Sequence, residues 1–254
     1  MMTVTMATLA CLPLPAWCAS IEQGNFDIRR ASVGQFAGIL EVAVTESGQA
    51  GVVIEGEDRV LDGFRLQQVD GELQIRAPQV DGAVSVITGD IRGNGEVTIN
   101  GRRYGPDDPL PEPTRITLTL VRGTALDILD LTGEARIGDL AAPLHVGLRS
   151  GTVTAGRIGD ADIRIDGGGQ VEIAAIDGNA RLDIPGSGSI RVTGGTIGEL
   201  VVGIGGAGSI DVMAPAASAT GSIRGAGTVL LGNVATTPRI EAGMAGRVMV
   251  RGGR

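Results

Sequence analysis

Gly169-Gln170-Val171-Glu172-Ile173, Gly188-Ser189-Ile190-Arg191-Val192 and Gly208-Ser209-Ile210-Asp211-Val212 repeat one phrase: a glycine followed by alternating polar and apolar residues. The same glycine recurs at Gly133, Gly151, Gly227 and Gly246, so successive anchors lie 18, 18, 19, 20, 19 and 19 residues apart. A fixed period of this length is the mark of a solenoid, in which each repeat buries its apolar face only by stacking on its neighbours. A second alternating run precedes the next anchor, at 162–166, 181–184, 201–204 and 221–224. Two strands of about five residues, rising about 3.3 Å per residue and joined by glycine turns, fill such a period. The expected fold is therefore all-β, a β-solenoid of two-strand rungs of about 19 residues that pair in parallel.

The charges test that alignment. If Val171, Ile190 and Ile210 point inward, Glu172, Arg191 and Asp211 form one outward column whose sign alternates at each step. On the other strand, Asp162 falls over Arg181 and Arg164 over Asp183. A slip of one residue would turn every side chain to the opposite face, so these complementary pairs support the register independently of the glycines. Inside, Ile163, Leu182, Val202 and Ile240 stack beside Ile165, Ile184, Ile204 and Ile223. Each such side chain contributes about 1.5–3 kcal/mol on burial, before conformational entropy is set against it.

Upstream, 40–45, 51–55 and 73–76 alternate with period two between Gly and Asp turns and read as further strands of the same sheet system. The stretch 101–113 carries Pro106, Pro109, Pro111 and Pro113 and reads as a loop; 115–121 resumes the strand pattern. The expected organisation is a leader over 1–20 and a single solenoid domain over 21–254. That domain comprises N-terminal strands (21–100), the loop (101–113) and the glycine-anchored repeats (114–254).

Composition narrows the function classes. The chain of 254 residues has 42 glycines without a collagen period, and only 2% aromatics beside 43% hydrophobic residues, so its core is aliphatic. All 21 basic residues are arginine and are outnumbered by 29 acids, a net charge of −8 that would repel a phosphate backbone; nucleic acid is not an expected partner. Residues 1–20 contain no acid, an apolar run through Leu9, Leu12 and Leu14, and small residues Cys18, Ala19 and Ser20, the pattern of an export signal without its basic start. Thr8-Leu9-Ala10-Cys11 departs from a lipidation box at its threonine. Both cysteines, Cys11 and Cys18, fall in this leader, so no disulfide or thiolate metal site is expected after it, and no later apolar run is long enough for a transmembrane span. The expected location is periplasmic, on the outer surface or secreted.

Three phrases stand out along the chain: Phe36-Ala37-Gly38-Ile39-Leu40-Glu41-Val42, Gly71-Glu72-Leu73-Gln74-Ile75 and the Gly186-Ser187-Gly188-Ser189 turn, which becomes Gly206-Ala207-Gly208-Ser209 and Gly225-Ala226-Gly227-Thr228 further on. In these the chain resembles the putative auto-transporter adhesin, head GIN domain family. The resemblance implies a right-handed parallel β-helix similar to pectin lyases, a bacterial source and a role in cell adhesion. It supplies no catalytic residue.

Several motifs are weighed against this background. Gly203-Ile204-Gly205-Gly206-Ala207-Gly208 matches a dinucleotide fingerprint but opens a strand, not a helix. In Gly205-Gly206-Ala207-Gly208-Ser209-Ile210-Asp211 the acid stands one place too late for a calcium-binding nonapeptide, which turns it to the opposite face. His145 is the single histidine and aligns over Arg164 as a surface residue. Asp160, Asp162, Asp166, Asp177 and Asp183 are the carboxylates that a polysaccharide lyase or hydrolase built on a β-helix would use. Asp162 and Asp183 have arginine neighbours in the register, and no aromatic platform lies in the repeats, so these acids read as an ion-pair ladder. No catalytic residue, cofactor or metal ligand is therefore assigned. The outward column of Glu172, Arg191 and Asp211 ends in Leu230 and Met249, an apolar contact patch for another chain or a covering segment. The expected function is an exported, non-enzymatic adhesion or binding protein. Its partner is an unnamed surface ligand or glycan, with self-association left open.

Overall fold

The computed structural model describes residues 19–78, 97–99, 102–104 and 112–251. The N-terminal part comprises β1 (Ala19–Phe26), β2 (Arg30–Thr45), β3 (Ala50–Gly56), the single turn α1 (Asp58–Leu61), β4 (Arg65–Val69) and β5 (Glu72–Arg76). A separate antiparallel pair, β6 (Val97–Ile99) and β7 (Arg102–Tyr104), precedes β8 (Arg115–Val121). Three long strands follow: β9 (Ala125–Ile137), β10 (Leu144–Ile158) and β11 (Ala161–Ile176). The rungs then divide into shorter strands: β12 (Ala180–Ile184), β13 (Ser189–Gly195), β14 (Ile197–Ile204), β15 (Ser209–Val212), β16 (Ala216–Ile223), β17 (Thr228–Leu231), β18 (Arg239–Ala242) and β19 (Arg247–Val250).

These strands make a β-solenoid of about 7 turns with rungs about 19 residues apart. One face stacks the first halves of β2, β9, β10 and β11 and continues through β12, β14, β16 and β18. The other stacks β8, the second halves of β2, β9, β10 and β11, then β13, β15, β17 and β19. All of these pairings are parallel, as the period requires. The long strands turn the corner between faces without a break, and a short third pairing follows, Ile158 on Ile176 and Ile176 on Gly195.

The anchor glycines sit at the corner between the faces. Gly133, Gly151 and Gly169 are Cα partners, and Gly38 joins the same column through β2. At Gly151, with φ +114°, a Cβ would lie 1.9 Å from the carbonyl oxygen of Gly133, so the corner closes only without a side chain. Inside, Val153, Val171, Ile190, Ile210 and Val229 stack on one face and Val146, Ile163, Leu182 and Val202 on the other, all essentially inaccessible to solvent.

The N-terminal end is closed by reversed strands. β3 runs antiparallel to β8 and β1 antiparallel to β3, while β4 folds back on β5. Leu61 of α1 and the edge-to-face pair Phe36 and Phe64, with ring centroids 6.5 Å apart, are buried there. The upstream runs are strands of the same sheet, as their alternation indicates, but alternation carries no strand direction and the reversals are additions of the structure.

The expected leader lies outside the described residues except for Ala19 and Ser20, which pair with Gly56 and Glu55. Within 101–113, Arg102–Tyr104 form β7; every proline of that stretch comes after them, so none blocks the pairing.

Candidate functional site

The solenoid turns alternate residues outward, so its chemistry is carried in vertical columns. On the first face one column runs Asp127, His145, Asp162, Arg181, Val201, Thr220 and Arg239. The next runs Gly147, Arg164, Asp183, Gly203, Ser222 and Glu241. On the second face Glu41, Arg136, Thr154, Glu172, Arg191, Asp211, Leu230 and Met249 are stacked in that order. The expected steps of Asp162 over Arg181, Arg164 over Asp183, and Glu172 over Arg191 over Asp211 are all present.

Four of the five carboxylates proposed for glycan chemistry are engaged by an arginine or a backbone amide. Arg164 binds Asp183 at 2.6 Å and Asp166 at 2.7 Å. Asp177 pairs with Arg157 and accepts the backbone N–H of Thr196 at 3.1 Å. Asp160 accepts the N–H of Asn179 at 2.7 Å, and Asn179 in turn accepts that of Glu199 at 2.9 Å. Asp139 does the same for Arg157 one rung earlier, at 2.7 Å. The turn acids thus cap the amide of the following rung, a structural use that spacing alone did not reveal. Around the same strands, Asp130 holds Arg149 through two hydrogen bonds of 3.1 and 2.5 Å. That hydrogen bonding, and then the carboxylate charge, raises the guanidinium above its ordinary pKa.

Two sequence expectations need correction. His145 lies over Asp162, its Nδ1 3.5 Å from the carboxylate, and not over Arg164. A step of 19 would reach Arg164, but Gly151 and Gly169 are only 18 apart, and the corner between strand halves is one residue longer in β11 than in β10, so the bulge between Leu148 and Ser150 shifts the register upstream of it by one more. Asp162 therefore has the His145 imidazole as its nearest side-chain neighbour of opposite character, although it stacks on Arg181 in the register. Glu172, although stacked on Arg191, accepts a hydrogen bond from Gln170 at 2.7 Å, while Arg191 stands 4.0 Å from Asp211.

His145, Asp162, Arg181, Asn179 and Glu199 line a shallow depression of about 320 Å³, closed at one side by Arg30 and Asp127, which pair at 2.7 Å. Among the described residues, no three His, Cys, Asp or Glu side chains converge as metal ligands. The fingerprint-like run 203–208 leaves β14, turns, and enters β15, with no helix to meet a phosphate. In the apolar column, Leu230 is half-buried and Met249 is 49% exposed. Arg251 reaches back toward this column and comes within 3.5 Å of Asp211. No helix among the described residues is long and apolar enough to cross a membrane.

Fold and surface together define a parallel β-solenoid whose outer face is a ladder of interlocked charges. The chain belongs to the family described as putative auto-transporter adhesin, head GIN domain, whose model matches residues 35–252. Two solved structures share the fold. A putative adhesin from Bacteroides fragilis is 12% identical, with a TM-score of 0.57 over 93% of this chain and 98% of the other. A putative adhesin from Parabacteroides distasonis is also 12% identical, with a TM-score of 0.55 over 92% and 96%. No curated protein matches the chain.

Proposed function

We propose that the chain is an exported, non-enzymatic binding module that acts at the bacterial envelope as an adhesin, presenting its ladder faces to a surface ligand or glycan. The observation that carries this reading is the state of the carboxylates: Asp160, Asp166, Asp177 and Asp183 are held by arginines or by backbone amides of the next rung. A lyase or hydrolase needs such groups directed at substrate. The family description and the names of both structural neighbours agree with adhesion. The polar depression at His145 and Asp162 supplies hydrogen-bonding groups of both signs, which suits a glycan with hydroxyl and carboxylate substituents.

The test is binding of the purified exported chain to a glycan array and to intact bacterial and host cells, with Asp162→Asn and Arg181→Ala as surface variants. Saturable binding weakened by these variants supports the reading. Uniform failure to bind, or depolymerisation of an acidic polysaccharide that Asp162→Asn abolishes, overturns it.

A further inference from the structure

The two ends of the solenoid are finished differently. At the N-terminal end β1, β3 and β4 run antiparallel to the stack and interrupt it. At the other end β18 and β19 still run parallel to β16 and β17, and no described strand pairs with their far edges.

The hydrogen bonds give these edges a polarity. Inward-facing residues donate toward the following rung, as Leu144 does to Asp160, Ala161 to Asn179 and Ala216 to Asn233. Residues of the opposite set donate backward: Thr228 to Gly208, Arg247 to Gly227, Gly243 to Ile223 and Arg251 to Leu231. In a parallel ladder the two sets alternate along each strand. The amides and carbonyls of Ile240 in β18, and of Val248 and Val250 in β19, therefore point along the axis away from the stack. Val250 is 39% and Met249 49% exposed, and Met244, in the turn between the two strands, is fully exposed. A row of unpaired N–H and C=O groups at a sheet edge is a template for pairing with another chain.

We propose that a second copy of this chain occupies this edge, the two solenoids meeting end to end about a two-fold axis through Ile240. Two identical edges related by a two-fold pair antiparallel, and the outward-directed N–H and C=O of Ile240 make it the hydrogen-bonded centre of that pair. Centring on Ile240 sets Arg239 opposite Glu241 of the second copy, and Glu241 opposite its Arg239. The sequence of β18, Arg239-Ile240-Glu241-Ala242, is thus complementary in charge to itself when reversed. The self-association depends on the end rung and not on the ligand of the lateral faces.

Sedimentation equilibrium of the full chain is the test, across about two decades of concentration. The expected result is a reversible monomer–dimer equilibrium. Arg239→Glu and Glu241→Arg each place like charges opposite one another twice per dimer and are expected to weaken it on the order of tenfold. The double variant Arg239→Glu/Glu241→Arg restores the pairing and the wild-type constant. Ile240→Pro removes an amide that has no partner among the described residues and gives a monomer, while Ile240→Val, which keeps that amide and most of the packing of Ile240 on the core, dimerises as the wild type does. A wild-type chain that stays monomeric throughout, a dimer indifferent to either single reversal, or a double variant as weak as the singles overturns the proposal.

Discussion

Replacing Gly151 by alanine tests the claim that the glycine column fixes the rung spacing. At φ +114° an alanine is held outside the regions open to L residues, which costs about 1–3 kcal/mol. Its Cβ would stand 1.9 Å from the carbonyl oxygen of Gly133. The closest comfortable carbon–oxygen approach is about 3.3 Å, so the corner must open by about 1.4 Å. With rungs only about 4.8 Å apart, that opening removes roughly two ladder hydrogen bonds at about 1 kcal/mol each. The expected loss is about 3–5 kcal/mol, at the severe end for a single substitution. Gly168, in the neighbouring corner, is the control: a Cβ there meets only the carbonyl oxygen of Ser187, at 3.8 Å, and alanine should change stability by under about 0.5 kcal/mol. Urea unfolding followed by far-UV circular dichroism measures both variants. Because stability in a solenoid is approximately a sum over rungs and their interfaces, Gly151→Ala is also expected to split unfolding into two steps. Coincident midpoints for Gly151→Ala and Gly168→Ala would refute the steric account of the anchors.

Three further outcomes follow from the same geometry. Ile173→Ala, at a site 1% exposed, should cost about 2–5 kcal/mol in urea unfolding. Asp183→Asn disturbs a solvent-facing pair with Arg164 and should cost less than about 1 kcal/mol, a difference that shrinks further in high salt. Asp160→Ala leaves the Asn179 amide without its acceptor and should speed hydrogen exchange at that amide; Asp160→Asn should restore protection, since Asn179 itself caps Glu199 in this way.

The repeat region was legible because two independent signals coincide in it. Glycine is required where rungs touch at the corner, and charges of opposite sign are required where outward residues stack. Together they place Ile163 on Leu182 and Arg164 on Asp183, the pairings that the structure has. The register slipped by two residues at His145: the anchors Gly151 and Gly169 are 18 apart where the average step is about 19, and β10 has a corner one residue shorter than β11. Gly38 belongs to the anchor column, yet it stands 95 positions before Gly133, so it lay outside the run of anchors that defined the period. The reversed strand β3 carries the same alternation as parallel ones, because period two reports which face is buried and not which way a neighbour runs. Among the candidate acids, those with arginine neighbours could be paired from sequence. The capping of Asn179 by Asp160 could not, because a turn aspartate looks the same whether it faces solvent or the next amide.

The forward and backward donation of alternate residues makes every interior rung interchangeable in its connections to the rungs on either side. A rung duplicated or deleted between Gly151 and Gly227 would find the same donors, acceptors and aliphatic column waiting for it. Each such event would move the two ends of the molecule by about 4.8 Å while leaving both as they are. The protein is in this sense a ruler graduated in rungs, on which lineages can vary the distance between its end surfaces in whole steps without redesigning either one.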